Sequence, residues 1–83
     1  MSDSIIVEFE RMRTNERFDM EIPKDITAND LVKALNIGLA LGIDMDDVSQ
    51  CYLMAENPLS LLRGETTIEE YGLYDGSKIL YDR

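Results

Sequence analysis

The strict alternation of apolar and acidic side chains in Phe18-Asp19-Met20-Glu21-Ile22 constrains the fold more than any other feature of this chain. A period of two puts the three apolar side chains on one face of a strand and the two carboxylates on the other. An earlier run, Ile5 to Glu10, begins to alternate in the same way, and the polar residues Arg11 to Arg17 separate the two runs. Two alternating runs joined by a short polar segment predict a β-hairpin, and Pro23 is expected to end its second strand.

A helix start follows the hairpin. The hydroxyl of Thr27 is suited to an N-cap, and the carboxylate of Asp30 is favoured near the positive end of the helix dipole. Gly42 is the expected C-terminal stop. Between them, three leucines recur at helical spacing and predict a stripe that faces a core, with Val32 and Ala34 beside it: Leu31, Leu35 and Leu39.

Two apolar residues of this segment, Ile37 and Leu41, lie off the stripe. They either pack under the following loop or form an exposed contact surface, including one between two copies of the chain. The pattern alone leaves both alternatives open.

Three more strands and one helical turn complete the pattern. Cys51 to Ala55 alternates, Leu59 to Leu62 supplies a short fourth strand, Thr66 to Tyr71 suggests a single helical turn, and Ser77 to Tyr81 is the last strand. The order strand, strand, helix, strand, short strand, strand predicts one α+β domain over residues 1–83. Its single helix is packed across a small mixed sheet of four or five strands.

Composition bounds the function. The chain has 83 residues and a net charge of −9, from 8 basic and 17 acidic residues. Nucleic acids and anionic membranes need a basic face, so neither is expected as a partner. No apolar run approaches the roughly 20 residues of a membrane span. The start Met1-Ser2-Asp3-Ser4 is unlike a signal peptide, and one cysteine cannot pair within the chain, so we expect a cytoplasmic protein.

Little in the sequence predicts chemistry. Histidine is absent, which removes the usual general base near neutral pH and the commonest metal ligand. The acidic run at 44–47 fails as a calcium loop, because Ser49 and Ala55 stand where a glycine and a glutamate are required. Cys51 alternates with Leu53, so a buried, inert thiol is expected. We expect no catalytic residue, no metal and no cofactor, and hence no enzyme.

The order of elements resembles the β-grasp fold of ubiquitin. The similar segments are the alternating strand at 18–22, the helix residues Leu31-Val32-Lys33-Ala34-Leu35, the exit loop Gly42-Ile43-Asp44, the turn at 66–73 and Asp75-Gly76-Ser77. Among ubiquitin-like proteins, the size and the approach to the last strand (Tyr71, Leu73, Asp75 and Gly76) resemble the EsaB/YukD family. That resemblance implies an accessory or regulatory component of a type VII (WXG100) secretion system. The implied partner is a protein, such as a cytosolic domain of the secretion machinery in the membrane.

Two other ubiquitin-like functions compete with this one. Ubiquitin-like modifiers and sulfur carriers act through a C-terminal Gly-Gly, whereas this sequence reads Ile79-Leu80-Tyr81-Asp82-Arg83, so we expect neither conjugation nor sulfur transfer. A generic ubiquitin-like adaptor unrelated to secretion is the other alternative.

The candidate site is a surface. If one face of the sheet packs against the helix, the opposite face carries Ile6, Tyr52, Met54 and Leu80, and these four residues are predicted to form one partner-binding patch. Its charged rim would comprise Glu8, Glu10, Lys78 and Asp82. The alternative is that these side chains satisfy β-propensity or a self-association surface.

Overall fold

The computed structural model describes residues 3–82, and the predicted order of elements is confirmed there. Met1, Ser2 and Arg83, which enter the expectations on a signal peptide and on the carboxyl end, lie outside the described residues. The strands and helices are β1 (Ser4–Arg11), β2 (Glu16–Pro23), α1 (Ala28–Leu39), a 3₁₀ helix (Val48–Gln50), β3 (Leu53–Glu56), β4 (Ser60–Leu62) and β5 (Lys78–Tyr81).

The five strands form one mixed sheet in the order β2-β1-β5-β3-β4. β1 and β5 run parallel, and the other neighbouring pairs are antiparallel. Buried residues of α1 and of the inner sheet face share a single core, so one helix covers one face of the sheet. The fold is therefore the predicted α+β arrangement. No helix among residues 3–82 is long and apolar enough to cross a membrane.

The predicted N-cap of α1 is confirmed, and the predicted stop is wrong. Oγ1 of Thr27 accepts a hydrogen bond from the N–H of Asp30 at 3.1 Å. The helix ends at Leu39 rather than running on to Gly42, because Ala40 takes the left-handed conformation with φ 51° and ψ 52°. Left-handed caps favour glycine, so a helix end with alanine at this position cannot be predicted from the sequence.

Asn36 folds the loop after α1 back onto the helix. Its Nδ2 donates to the carbonyl oxygen of Ile43 at 2.9 Å, and its Oδ1 accepts from the N–H of Ile43 at 2.8 Å. Leu41 and Ile43 are buried as a result, whereas Ile37 on the helix is 73% exposed. Leu41 thus belongs to the core, as the first of the two alternatives predicted, whereas Ile37 remains exposed.

β3 begins two residues later than predicted. The side chain of Asp47 caps the 3₁₀ helix by accepting a hydrogen bond from the N–H of Ser49 at 3.0 Å. Because this helix continues to Gln50, the extended strand starts only after it. Cys51 follows it as a buried residue, as the alternation predicted, and its Sγ lies 3.3 Å from the carbonyl oxygen of Asp47.

β2 is less covered than its alternation predicted. Of its inner side chains only Ile22 is buried, while Met20 is half-buried and Phe18 is 39% exposed. The Phe18 ring lies 5.5 Å from that of Phe9, its direct neighbour on β1. The prediction of the face was right, but the sheet extends beyond the helix at this edge.

Tyr81 fixes β5 to the rest of the fold. It is 4% exposed, and its hydroxyl donates to the carbonyl oxygen of Leu41 at 2.7 Å. The guanidinium carbon of Arg11 lies 5.9 Å from the centre of the Tyr81 ring, a cation–π distance. The last strand is therefore an integral part of the sheet and the core.

Candidate functional site: the outer face of the sheet

Met54 and Leu80 lie side by side on the sheet face away from α1. They are direct cross-strand partners on β3 and β5, and both are half-buried. Leu61 is the partner of Met54 on β4 and is 39% exposed. These three side chains form a row, called here the apolar row, that spans roughly 10 Å because neighbouring strands lie about 4.8 Å apart.

Tyr52 extends this surface along the chain direction of β3. It precedes the strand and is half-buried, between the buried residues Cys51 and Leu53. This alternation of burial puts it on the same side as Met54, roughly 6.6 Å further along the backbone at about 3.3 Å per residue.

Ile6 does not join the other three residues, so the predicted single patch is divided. Leu80 lies beside Glu10 on β1, and Ile6 comes four residues earlier, roughly 13 Å away along the strand. Between them, Nζ of Lys78 and Oε1 of Glu8 form a salt bridge at 3.9 Å. Ile6 is 47% exposed.

The backbone of Ile6 holds the turn before β5. Its N–H donates to Oδ1 of Asp75 at 2.8 Å, and its carbonyl oxygen accepts from the N–H of Gly76 at 2.9 Å. Ile6 is therefore a separate apolar position at the start of the face.

Leu61 is the residue that sequence analysis missed. Leu59-Ser60-Leu61-Leu62 has no clean alternation, so the outward residue of a three-residue strand could not be chosen from the pattern. The register Met54 to Leu61 decides it, because directly paired residues share one face.

Carboxylates border the apolar row on two sides. Glu10 ends it on the β1 side, and two residue pairs further along β3 and β5, on the same face, Glu56 lies beside Lys78. The predicted rim residues Glu8 and Lys78 therefore separate Ile6 from the apolar row. The charged side chains that strand pairing places next to the row are two glutamates, Glu10 and Glu56, and one lysine, Lys78.

The two carboxyl groups with shifted pKa values lie outside this face. Hydrogen bonds from the Ser49 hydroxyl and the Gln50 amide, and then from the Ser49 N–H, lower the pKa of Asp47. The N–H and hydroxyl of Thr67 lower the pKa of Glu70, whose own N–H donates back to Oγ1 of Thr67 at 3.1 Å. Both groups cap turns, so their shifts stabilise local structure.

Within residues 3–82, His, Cys, Asp and Glu side chains form no group of three or more able to hold a metal ion. The features brought together at this face are apolar side chains and carboxylates, which suit contact with another molecule.

Solved structures with this arrangement of helix and sheet define the class of protein. The ubiquitin-like domain of tubulin-binding cofactor B is 20% identical, covers 96% of this chain and 89% of its own, and has a TM-score of 0.69. The C-terminal ubiquitin-like domain of mouse tubulin-specific chaperone e is 12% identical, covers 94% and 84%, and has a TM-score of 0.71. The UBL domain of Plasmodium falciparum Dsk2 is 20% identical, covers 93% and 96%, and has a TM-score of 0.61. These likenesses confirm a ubiquitin-like β-grasp fold.

Sequence comparison identifies the family within this class. The sequence model described as "WXG100 protein secretion system (Wss), protein YukD" matches residues 5–80. The chain belongs to the YukD family, and it is thereby a ubiquitin-like protein linked to WXG100 secretion. Comparison with curated proteins gave no significant match.

Proposed function

We propose that this protein is a non-catalytic, cytoplasmic binding module of a WXG100 (type VII) secretion system. It acts as an accessory or regulatory component that binds a protein partner non-covalently through the outer sheet face. The partner is a cytosolic domain of the secretion machinery in the membrane. The observation that carries the proposal is the apolar row of Leu80, Met54 and Leu61, which crosses three adjacent strands without cover from the helix.

The row has the composition of a small interface centre. Large apolar side chains in direct contact lose water together when a partner covers them, which favours binding by about 25 cal/mol per Å² of apolar surface. Met54 adapts to an irregular partner surface through its three rotatable bonds. Tyr52 adds an aromatic anchor at the border, a residue type enriched at interface centres.

Charge sets the kind of partner. Glu8, Glu10 and Glu56 face the same solvent as the apolar row, and the chain as a whole carries −9. A partner with an apolar centre and a basic rim meets complementary charge. Such charge speeds encounter and loses its effect as salt rises.

The direct test is a binding assay with the separately produced cytosolic domains of the WXG100 secretion machinery. We expect Met54→Asp with Leu80→Asp to weaken binding at least about tenfold, because two carboxylates replace the apolar centre. Ile37→Asp is the matched control, since Ile37 is exposed on the helix side of the molecule, and it is expected to bind like the unchanged chain. Equal affinity of a folded Met54→Asp, Leu80→Asp variant and the control would reject this face as the binding surface.

A second test addresses the link to the process. Deleting the gene is expected to reduce secretion of WXG100 substrates, and restoring the chain is expected to rescue it. The Met54→Asp, Leu80→Asp variant is expected to fail in the rescue while Ile37→Asp succeeds. Normal secretion without the gene would favour an adaptor unrelated to secretion.

A further inference from the structure

Within residues 3–82, β2 leaves most of the outward side of its backbone unpaired at the border of the sheet. It stands first in the strand order, and its eight residues pair with β1 in an unbroken register. The hydrogen bonds of β1 show which N–H and carbonyl groups of β2 point away from the sheet. The N–H of Glu8 donates to Ser77 at 3.0 Å, and Ile6 accepts from Gly76 at 2.9 Å, so even-numbered residues of β1 point toward β5.

The odd-numbered residues of β1 therefore point toward β2, and the residues opposite them on β2 are Phe18, Met20 and Ile22. The backbone groups of the alternate residues Arg17, Asp19 and Glu21 point away from the sheet. Among residues 3–82, no hydrogen bond outside the β1–β2 ladder uses these backbone groups. Three N–H groups and three carbonyl groups thus lie along one edge of the sheet, where they can pair with another strand.

Side chains on the two faces of this edge differ in character. Phe18 and Met20 present partly exposed apolar surface on the inner face, beyond the cover of α1. The outer face carries the exposed side chains of Arg17, Asp19 and Glu21, and Glu8 lies next to Asp19 on β1, so carboxylates outnumber the single basic group there. A strand added here would have its own side chains facing these two surfaces alternately.

An open depression of about 440 Å³ lies at the end of the same edge. Its carboxylates come from Asp3, Glu21 and Asp25, and Ile22 and Pro23 supply apolar walls. This geometry suits the end of a lysine or arginine side chain, whose methylene stem packs on the apolar walls while the charged head meets the carboxylates.

We propose that the β2 edge is a docking site for an extended protein segment in which basic and apolar side chains alternate. The segment adds a sixth strand through backbone hydrogen bonds with Arg17, Asp19 and Glu21. Its apolar side chains cover Phe18 and Met20, and its basic side chains meet the carboxylates of the outer face. A second copy of this chain is a poor occupant, since it brings another charge of −9 to an already acidic edge.

This inference is independent of the apolar row, because β2 and β4 are at opposite borders of the sheet. The two surfaces permit one partner to be held at two points, or two partners at once. Failure of either site leaves the other unaffected.

Amide hydrogen exchange at single residues tests the docking site on the unchanged chain. The probe is the capped peptide Lys-Val-Arg-Val-Lys-Val, and the control is Lys-Lys-Arg-Val-Val-Val, which has the same composition without alternation. At about 1 mM peptide, where weak binding is measurable, we expect slower exchange at the amides of Arg17, Asp19 and Glu21 with the alternating peptide only. The amides of Phe18 and Met20 already pair with β1 and are expected to change little.

Two variants at Asp19 distinguish the contribution of its backbone N–H to binding from that of its carboxylate. Asp19→Ala removes a carboxylate and keeps the N–H, and we expect binding of the alternating peptide to weaken about threefold. Asp19→Pro also removes the outward N–H, a change that edge strands tolerate, and we expect a loss of at least about tenfold. Should Asp19→Pro fail to fold, the comparison of the two peptides on the unchanged chain decides.

Several results would overturn the inference. One is unchanged exchange at the three amides with both peptides, and another is equal slowing of exchange by both peptides. A third is slowing of exchange that is confined to the amides of Met54 and Leu80. The last is a dimer, seen as a doubled particle mass, in which exchange at the same three amides is already slow without peptide.

Discussion

Tyr81 joins the last strand to the loop that follows the helix, and it does so through one buried hydrogen bond to the carbonyl oxygen of Leu41. We expect Tyr81→Phe to lower the free energy of unfolding by about 1–2 kcal/mol, because the buried carbonyl group loses this donor. Urea denaturation measures the change. Tyr74→Phe is the control, since Tyr74 is 54% exposed, and it is expected to leave stability unchanged. Equal stability of both variants and the unchanged chain would show that the bond contributes nothing.

The two capping carboxylates are expected to contribute to stability in acid. Hydrogen bonds from Ser49 and Gln50 lower the pKa of Asp47 in the folded chain, and hydrogen bonds from Thr67 lower the pKa of Glu70. The unfolded chain then binds protons more readily, so the stabilisation is complete above the unfolded pKa values and is lost as the pH falls through the folded ones. We expect the free energy of unfolding to decrease between about pH 5 and pH 3 for this reason.

Urea denaturation across this pH range, with Asp47→Asn and Glu70→Gln, isolates the effect. Acid also reduces the repulsion within a chain of net charge −9, so the informative quantity is the difference between each variant and the unchanged chain. Both variants are expected to lose less stability in acid than the unchanged chain does. Glu65→Gln removes an exposed charge outside both caps and is the control. Identical acid dependence of all four chains would contradict this role of the caps.

The sheet face of a residue was predictable where apolar and polar residues alternate cleanly. It was not predictable where it depends on the register between two strands. The sequence predicted Met54 and Leu80 on the outer face, and the structure places them there as direct neighbours. It missed Leu61, and it grouped Ile6 with residues roughly 13 Å away. Alternation gives the face of a strand but not the offset between parallel strands such as β1 and β5, and the position of Ile6 depends on that offset.

At the scale of elements, α1 ends on a residue that sequence rules do not expect. Ala40 has φ 51°, where a Cβ atom is unfavourable, so Ala40→Gly is expected to raise the free energy of unfolding by about 0.5–1 kcal/mol. Ala34→Gly is the matched control inside the same helix, at an exposed position, and is expected to lower it by about 1 kcal/mol. Thermal or urea unfolding measures both variants. A lower free energy of unfolding for Ala40→Gly would contradict the claim that the left-handed conformation of Ala40 is unfavourable for a residue with a Cβ atom.

Elements with their own capping or alternating signals were predicted well. The hairpin, the N-cap at Thr27 and the order of all five strands followed from local sequence. The errors, at the end of α1 and the start of β3, fall on loop segments held by side-chain hydrogen bonds of Asn36 and Asp47. The Asn36 bonds span seven residues and the Asp47 bond only two, but neither belongs to a repeating apolar pattern, so hydrophobic periodicity does not predict them.

At the scale of the whole molecule, the single helix explains where contact surfaces remain. One helix covers one face of a five-stranded sheet, and this leaves the outer face and the β2 border without cover. Each has its own chemistry: the apolar row lies among carboxylates on the outer face, and β2 combines free backbone groups with alternating side chains. We therefore propose these two surfaces as the binding sites of this YukD family protein.

The most direct measurement of the central claim is the footprint of the secretion machinery's cytosolic domains on the methyl groups of this chain, observed by NMR. If the outer face is the binding surface, the methyl signals of Met54, Leu61 and Leu80 are expected to shift or broaden first. The methyl signals of Ile37 and Val48, both well exposed outside the sheet, are then expected to stay unchanged. Perturbation of Ile37 and Val48 with unaltered signals from the apolar row would contradict the claim.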